Sequence, residues 1–204
     1  RLENLQYMQA DILDLQTLNK EFDIIESIGV LHHLDDPVAG WEVLVSCLRQ
    51  GGLMKIGLYS ELARKNIKKI RKEIRDGGIK TDSQSIKVFR DYIINSNKPH
   101  HKKISKSGDF YSLSTIRDLL FHVQEHRFTL PMIRDNLHKV GLKFCGFEGP
   151  QIIEDFCKSA HVMDDTYDLD KWQSYEKETP NAFAGMYQFW CQKVDFTASH
   201  KNGE

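Results

Sequence analysis

The chain has 204 residues, 40% of them hydrophobic and 28% charged, with 13 Gly and 5 Pro; this excludes collagen-like, low-complexity and disordered classes and suits one domain with a sizeable core. No apolar run nears the roughly 20 residues needed to cross a bilayer, because Glu26, Glu42 and Lys55 break the most hydrophobic stretches. The net charge of −1 conceals a basic middle, with 14 Lys and Arg against 4 Asp and Glu over residues 64–106, and an acidic segment, 9 acids against 3 bases over residues 148–178.

In chain order, residues 5–10 read as a short strand running into Asp11, and FDIIESIG (22–29) as a buried strand ending in glycine. Asp35-Asp36-Pro37 starts a helix whose Trp41, Leu44, Val45 and Leu48 recur at helical spacing, and Gly51-Gly52 is expected to stop it. LMKIGLY (53–59) is the next strand. Strand, helix, strand in this order, with short connections, predicts a parallel sheet. Residues 60–75 form a basic amphipathic helix with Ile67, Ile70 and Ile74 as its apolar stripe, ended by Gly77-Gly78. A weaker helix spans residues 86–94, an exposed loop residues 96–103, and further helices residues 114–124 and 130–140; strands follow at 142–147 and 186–194, and a polar end from about 195 is expected to be a disordered tail. Cys47, Cys145, Cys157 and Cys191 are scattered without a C-x-x-C pair and read as reduced thiols of a cytoplasmic protein.

The run FDIIESIGVLHHLDDP (22–37), a helix, and RQGGLMKIGL (49–58) together resemble the fourth- and fifth-strand region of class I S-adenosylmethionine-dependent methyltransferases. QADI (9–12) is similar to the end of that family's third strand, and DFYS (109–112), RDLLFHVQEHRFTLP (117–131) and FAGMYQFWC (183–191) resemble a bacterial subfamily often fused behind tetratricopeptide repeats. The resemblance implies a Rossmann-like three-layer α/β fold, mostly parallel with an antiparallel last strand, in which residues 60–140 are a helical substrate-facing insertion. It also implies methyl transfer from S-adenosylmethionine to an unidentified acceptor, with an upstream repeat region as possible partner. The family's glycine-rich loop and second-strand acid have no counterpart in these residues, and the chain opens at Arg1 without an initiator Met. It is therefore expected to be the carboxy-terminal two-thirds of the domain, truncated at the amino end, and inactive in isolation.

By this resemblance Asp11 accepts from the adenine amino group, Ile12 lies against the ring, and Ser27, Ile28, Gly29 and Val30 form the cofactor edge at a strand's carboxyl end, where open α/β sheets place their ligands. For Asp11 the plainer alternative is a helix cap. His32 and His33 follow that strand, where the acceptor approaches. An imidazole titrates near 6.5 and suits proton removal from a hydroxyl or amine, so His33, His122 and His126 are the candidate catalytic groups, and His32, Tyr59, Tyr111 and Glu125 the candidate acceptor contacts.

Two rival readings stand beside this. HVQEH (122–126) spells H-x-x-E-H, the inverted zinc-peptidase motif, in which two histidines one helical turn apart bind zinc and the Glu activates water; Glu148, Glu154 or Glu176 would then have to supply a third ligand, and none lies in a recognisable motif. The preferred reading assigns no metal ligand. The basic residues 64–106 would suit an interaction or nucleic-acid-binding module, but no aromatic interleaving accompanies the charge, so nucleic acid is disfavoured as a partner.

Overall fold

The computed structural model describes residues 3–122, 124–159 and 162–195; the expected tail lies outside them from residue 196 onward. Four strands, β1 (Phe22–Ile28), β2 (Leu48–Leu58), β3 (Leu142–Phe147) and β4 (Tyr187–Lys193), form one sheet in the order β1-β2-β4-β3. β1 and β2 pair in parallel, with Ser27 opposite Ile56, while β4 is antiparallel to both β2 and β3. Three strands therefore run one way and the last runs against them, which fits the expected α/β class; but β4 lies between β2 and β3, so only β1–β2 of the three pairings is parallel and the expected mostly parallel sheet is not exact. β2 is the central strand, and its Met54, Ile56 and Leu58 are fully buried at period two while Leu53 reaches solvent.

Helix α1 (Pro37–Ser46) connects β1 to β2, and starts as its sequence predicts: Asp36 Oδ1 accepts from the Val38 and Ala39 amides, and Pro37 occupies the first turn. It ends before the glycines, with Cys47 as its cap. Gly51-Gly52 instead lies within β2, at an irregularity where the register jumps from Phe22 opposite Leu48 to Ile24 opposite Leu53, and Gly51 has φ +78°. A side chain on Gly52 would press on the Asp23 carbonyl, so the glycine pair serves a bulge and not a helix stop.

Helices α2 (Lys65–Asp76), α3 (Ser83–Asn95), α4 (Pro99–Ile104) and α5 (Leu113–Ile116) build a separate layer over their own core of Ile70, Ile74, Ile86, Phe89, Ile93 and Phe110. α6 (Leu130–Lys139), α7 (Pro150–Lys158) and α8 (Leu169–Glu178) pack with α1 on the sheet, around Trp41, Trp172, Phe147 and Phe189. None of the helices among the described residues is long and apolar enough to cross a membrane.

Further expectations are corrected. Residues 99–103 of the expected exposed loop are helical, as part of α4, and His101 there is fully buried. Residues 5–10 form no strand: they carry no regular structure, with Leu5, Tyr7 and Met8 exposed, and β1 pairs on one side only among the described residues. The helix expected through Gln124 ends at Phe121 in a π-turn (Arg117–Phe121), and the chain beyond is extended, with Phe128 bridging Ser60. His122 and residues 124–126 therefore lie outside any helix, and the two histidines do not sit on successive turns.

Candidate active site

The site is built where β1 and β2 end. Ser27, the last inward residue of β1, is 5% exposed, and its hydroxyl makes no hydrogen bond. The chain then turns through Gly29 at φ +75°, a left-handed conformation that disfavours any side chain, and the Gly29 amide donates to the Gly57 carbonyl at 3.3 Å. A Cβ on Gly29 would meet nothing nearer than the Met186 methyl at 3.9 Å, so the space in front of this turn is open. Ile28 and Val30 on either side expose apolar surface. Asp11 caps a 3-10 turn (Ile12–Leu18) by accepting from the Leu13 amide at 2.9 Å, the plainer of its two expected roles, and Ile12 packs partly against the sheet core.

The following 3-10 turn (Leu31–His33) separates the paired histidines. His32 is fully buried, stacked on Tyr59 with ring centroids 3.9 Å apart, and neither ring nitrogen makes a hydrogen bond. Burial first, and then the neighbouring His33, Arg64 and His122, lower its pKa to about 3, so it remains neutral. It cannot reach an acceptor from there. Tyr59 is likewise an interior platform, since the Arg64 guanidinium covers its ring at 3.3 Å.

His33 is the half-buried member of the pair. Its Nδ1 lies 3.0 Å from the Gln124 carbonyl, and a carbonyl only accepts, so Nδ1 carries the proton and Nε2 holds a free lone pair. The His122 ring lies 4.1 Å from it, and there the Gln124 amide donates to Nδ1, which places the proton on Nε2. One ring thus offers an acceptor and the other a donor, within one contact distance. His126 does not join them. Its amide donates to the His32 carbonyl, and it lines a cavity of about 370 Å³ with Pro37, Val38 and Met132 from which His33 and His122 are absent.

Glu125 is not an acceptor contact. Its side chain is 1% exposed and held by Arg64 at 3.1 Å and Arg71 at 2.9 Å, while Arg71 also donates to the Leu119 carbonyl. This clamp ties the extended segment to α2. Both guanidinium contacts fall on Oε2, and the loss of the helix removes the zinc-peptidase geometry. Tyr111 is 60% exposed in the helical layer, donating to the Ser105 carbonyl and carrying none of the histidine contacts.

One cluster was missed in the sequence. Ser60 donates to Glu176 at 2.6 Å, and the Tyr187 hydroxyl lies 2.7 and 2.8 Å from its two oxygens. Burial raises the pKa of both Glu176 and Tyr187. Glu176 and Tyr187 line a cavity of about 660 Å³ with Leu62, Thr129 and Leu130, to which none of the histidines contributes. The three residues are separated by up to 127 positions, so no local pattern joins them.

Residues 1–56 match the family model described as a methyltransferase domain. That stretch contains Asp11, β1, the Gly29 turn, both histidines of the turn and most of β2. An uncharacterized protein of Synechococcus sp. is 28% identical over 183 residues, 85% of this chain and 44% of that protein. The structure of PKMT2 from Rickettsia typhi superposes with a TM-score of 0.60 at 16% identity, over 92% of this chain and 38% of that one. The same protein in complex with AdoHcy gives 0.61 at 15% identity, again over 92% and 38%. These neighbours share the α/β fold, and the chain spans less than half the length of the relatives it matches.

Proposed function

We propose that the protein transfers a methyl group from S-adenosylmethionine to an acceptor whose nucleophile sheds a proton, a hydroxyl or an amine. The observation that carries this is the methyltransferase-domain match over residues 1–56, because it falls on the strand ends that the geometry marks. The AdoHcy complex of the Rickettsia typhi neighbour supports the choice of cofactor. The residues present fit such a group: an unpartnered buried Ser27 hydroxyl, an open glycine turn, and apolar Ile28 and Val30 beside it. In this reading Asp11 accepts from the adenine amino group and Ile12 lies against the ring. Bound there, S-adenosylmethionine supplies an electrophilic methyl group. His33 Nε2 takes the proton released by the nucleophile, and His122 Nε2–H orients the acceptor through a hydrogen bond.

The test is calorimetric titration of the protein, with whatever flanking sequence it carries in the cell, against AdoHcy. Saturable binding is expected, weakened by about 1–3 kcal/mol in Asp11→Ala, the cost of leaving a buried donor without its acceptor. A flat titration overturns the reading.

A further inference from the structure

Away from the histidine pair, the helical layer brings three metal-ligating side chains to one point. Glu73 lies late in α2, and His100 and His101 open α4. His100 Nε2 is 2.7 Å from Glu73 Oε1, His101 Nε2 is 3.0 Å from Glu73 Oε2, and the two rings meet edge-on at 4.5 Å. Successive residues of a helix point roughly 100° apart, so two neighbouring imidazoles converge on one carboxylate only when both rings turn inward. One ligand atom from each residue lies within 4.8 Å of the others, the one such grouping of His, Cys, Asp and Glu among the described residues.

We propose that Glu73, His100 and His101 bind a first-row transition dication of the zinc class, pinning α4 to α2. Two imidazole nitrogens and a carboxylate are a borderline donor set that suits zinc and its neighbours, whereas calcium and magnesium take oxygen ligands. Bonds of about 2.0–2.2 Å at tetrahedral angles set ligand atoms about 3.4 Å apart; the 2.7 and 3.0 Å contacts must open by roughly 0.4–0.7 Å to reach this, from a set whose ligand atoms already lie within 4.8 Å of one another. Each ring coordinates through Nε2 as neutral imidazole, its proton moving to Nδ1, and the carboxylate stays ionised. The fourth position falls to water, reached through the groove of about 1000 Å³ that Glu73, Tyr92 and Lys98 line.

Lys98 is informative because its ammonium already stands 3.0 Å from Glu73 Oε2, holding a cation where the site needs one. A dication must displace it, and the exposed Lys98 side chain is free to move into solvent. The two competitors make a prediction that a plain hydrogen-bonded cluster does not: removing the ammonium tightens metal binding.

The experiment uses chelator-stripped protein titrated with zinc(II) by calorimetry and with cobalt(II) by visible spectroscopy, where tetrahedral coordination gives intense d–d bands. One saturable equivalent is expected, tightened in Lys98→Gln. His100→Ala is expected to weaken binding by more than the roughly 100-fold upper end of outer-shell changes, since it removes a direct ligand. Glu73→Gln provides an isosteric second variant if His100→Ala disturbs the fold by circular dichroism. No saturable binding overturns the proposal, as does binding that survives both variants or that is lost instead in His122→Ala.

Discussion

His33 and His32 are adjacent residues with opposite fates, and the difference lies in what surrounds each ring. His33 holds its tautomer through one carbonyl, which leaves Nε2 without the proton. His33→Asn keeps a donor for the Gln124 carbonyl but has no basic nitrogen to take a proton. It should lower methyl transfer by about 10²–10⁴-fold while AdoHcy affinity stays unchanged, and a loss of affinity in parallel would make His33 a binding group instead. His32 predicts an effect on stability. Its folded pKa is lowered to about 3 from 6.5, so between these values the unfolded chain binds the extra proton. The stabilisation is complete above about pH 6.5 and is lost as pH falls toward 3. Each tenfold difference in proton affinity between the folded and unfolded chain is worth about 1.4 kcal/mol, so the loss amounts to a few kcal/mol at most. Urea midpoints across this range should fall more steeply in the wild type than in His32→Phe; parallel slopes would refute a buried neutral His32.

At the element scale, the extended segment after the π-turn is the piece that organises the site. Its backbone is stitched to the turn and to the end of β2 by His126 to His32 and Phe128 to Tyr59 bonds, both 2.8 Å, and its side chain Glu125 clamps α2 through two guanidinium groups. Removing one partner of such a buried pair leaves charge without compensation. Glu125→Gln should therefore cost about 3–5 kcal/mol in urea unfolding. Lost activity with unchanged stability would instead return Glu125 to the acceptor contacts. The basic helix α2 is also decided here: Arg64, just before it, and Arg71 point inward to Glu125, Lys68 pairs with Glu61, and Lys72 with Asp76. Four of the seven Lys and Arg of residues 64–75 are thus paired with carboxylates among the described residues.

For the whole molecule, the decisive feature is that there are two cores, one under the sheet and one inside the α2–α5 layer. Elements with separate cores open with separate free energies. Ile70→Ala, at a fully buried position of the second core, should raise amide exchange across α2–α5 while β2 and β4 keep their protection, and uniform loosening would show a single cooperative unit. The Ser60–Glu176–Tyr187 cluster joins the end of β2 to α8 and β4, so it belongs to the sheet unit in this division.

Much of this was readable in the sequence where the information is local. Period-two burial along β2, the Asp36-Pro37 start of α1, the apolar stripe of α2 and the glycine after Ile28 all depend on residues within a turn or two of one another, and the motif around residues 22–37 marked the place of the site. Tertiary structure decided what depends on distant neighbours. A segment such as residues 5–10 becomes a strand only when another strand offers its backbone a partner. HVQEH reads as helix by spacing, yet the pairing of Glu125 with Arg64 and Arg71 and the backbone bond from His126 to His32 hold residues 125 and 126 outside any helix. Which of two adjacent histidines is buried, and which three residues meet at Glu176 or at Glu73, are settled by packing between elements, because charge pairing and desolvation act across space and leave no period along the chain.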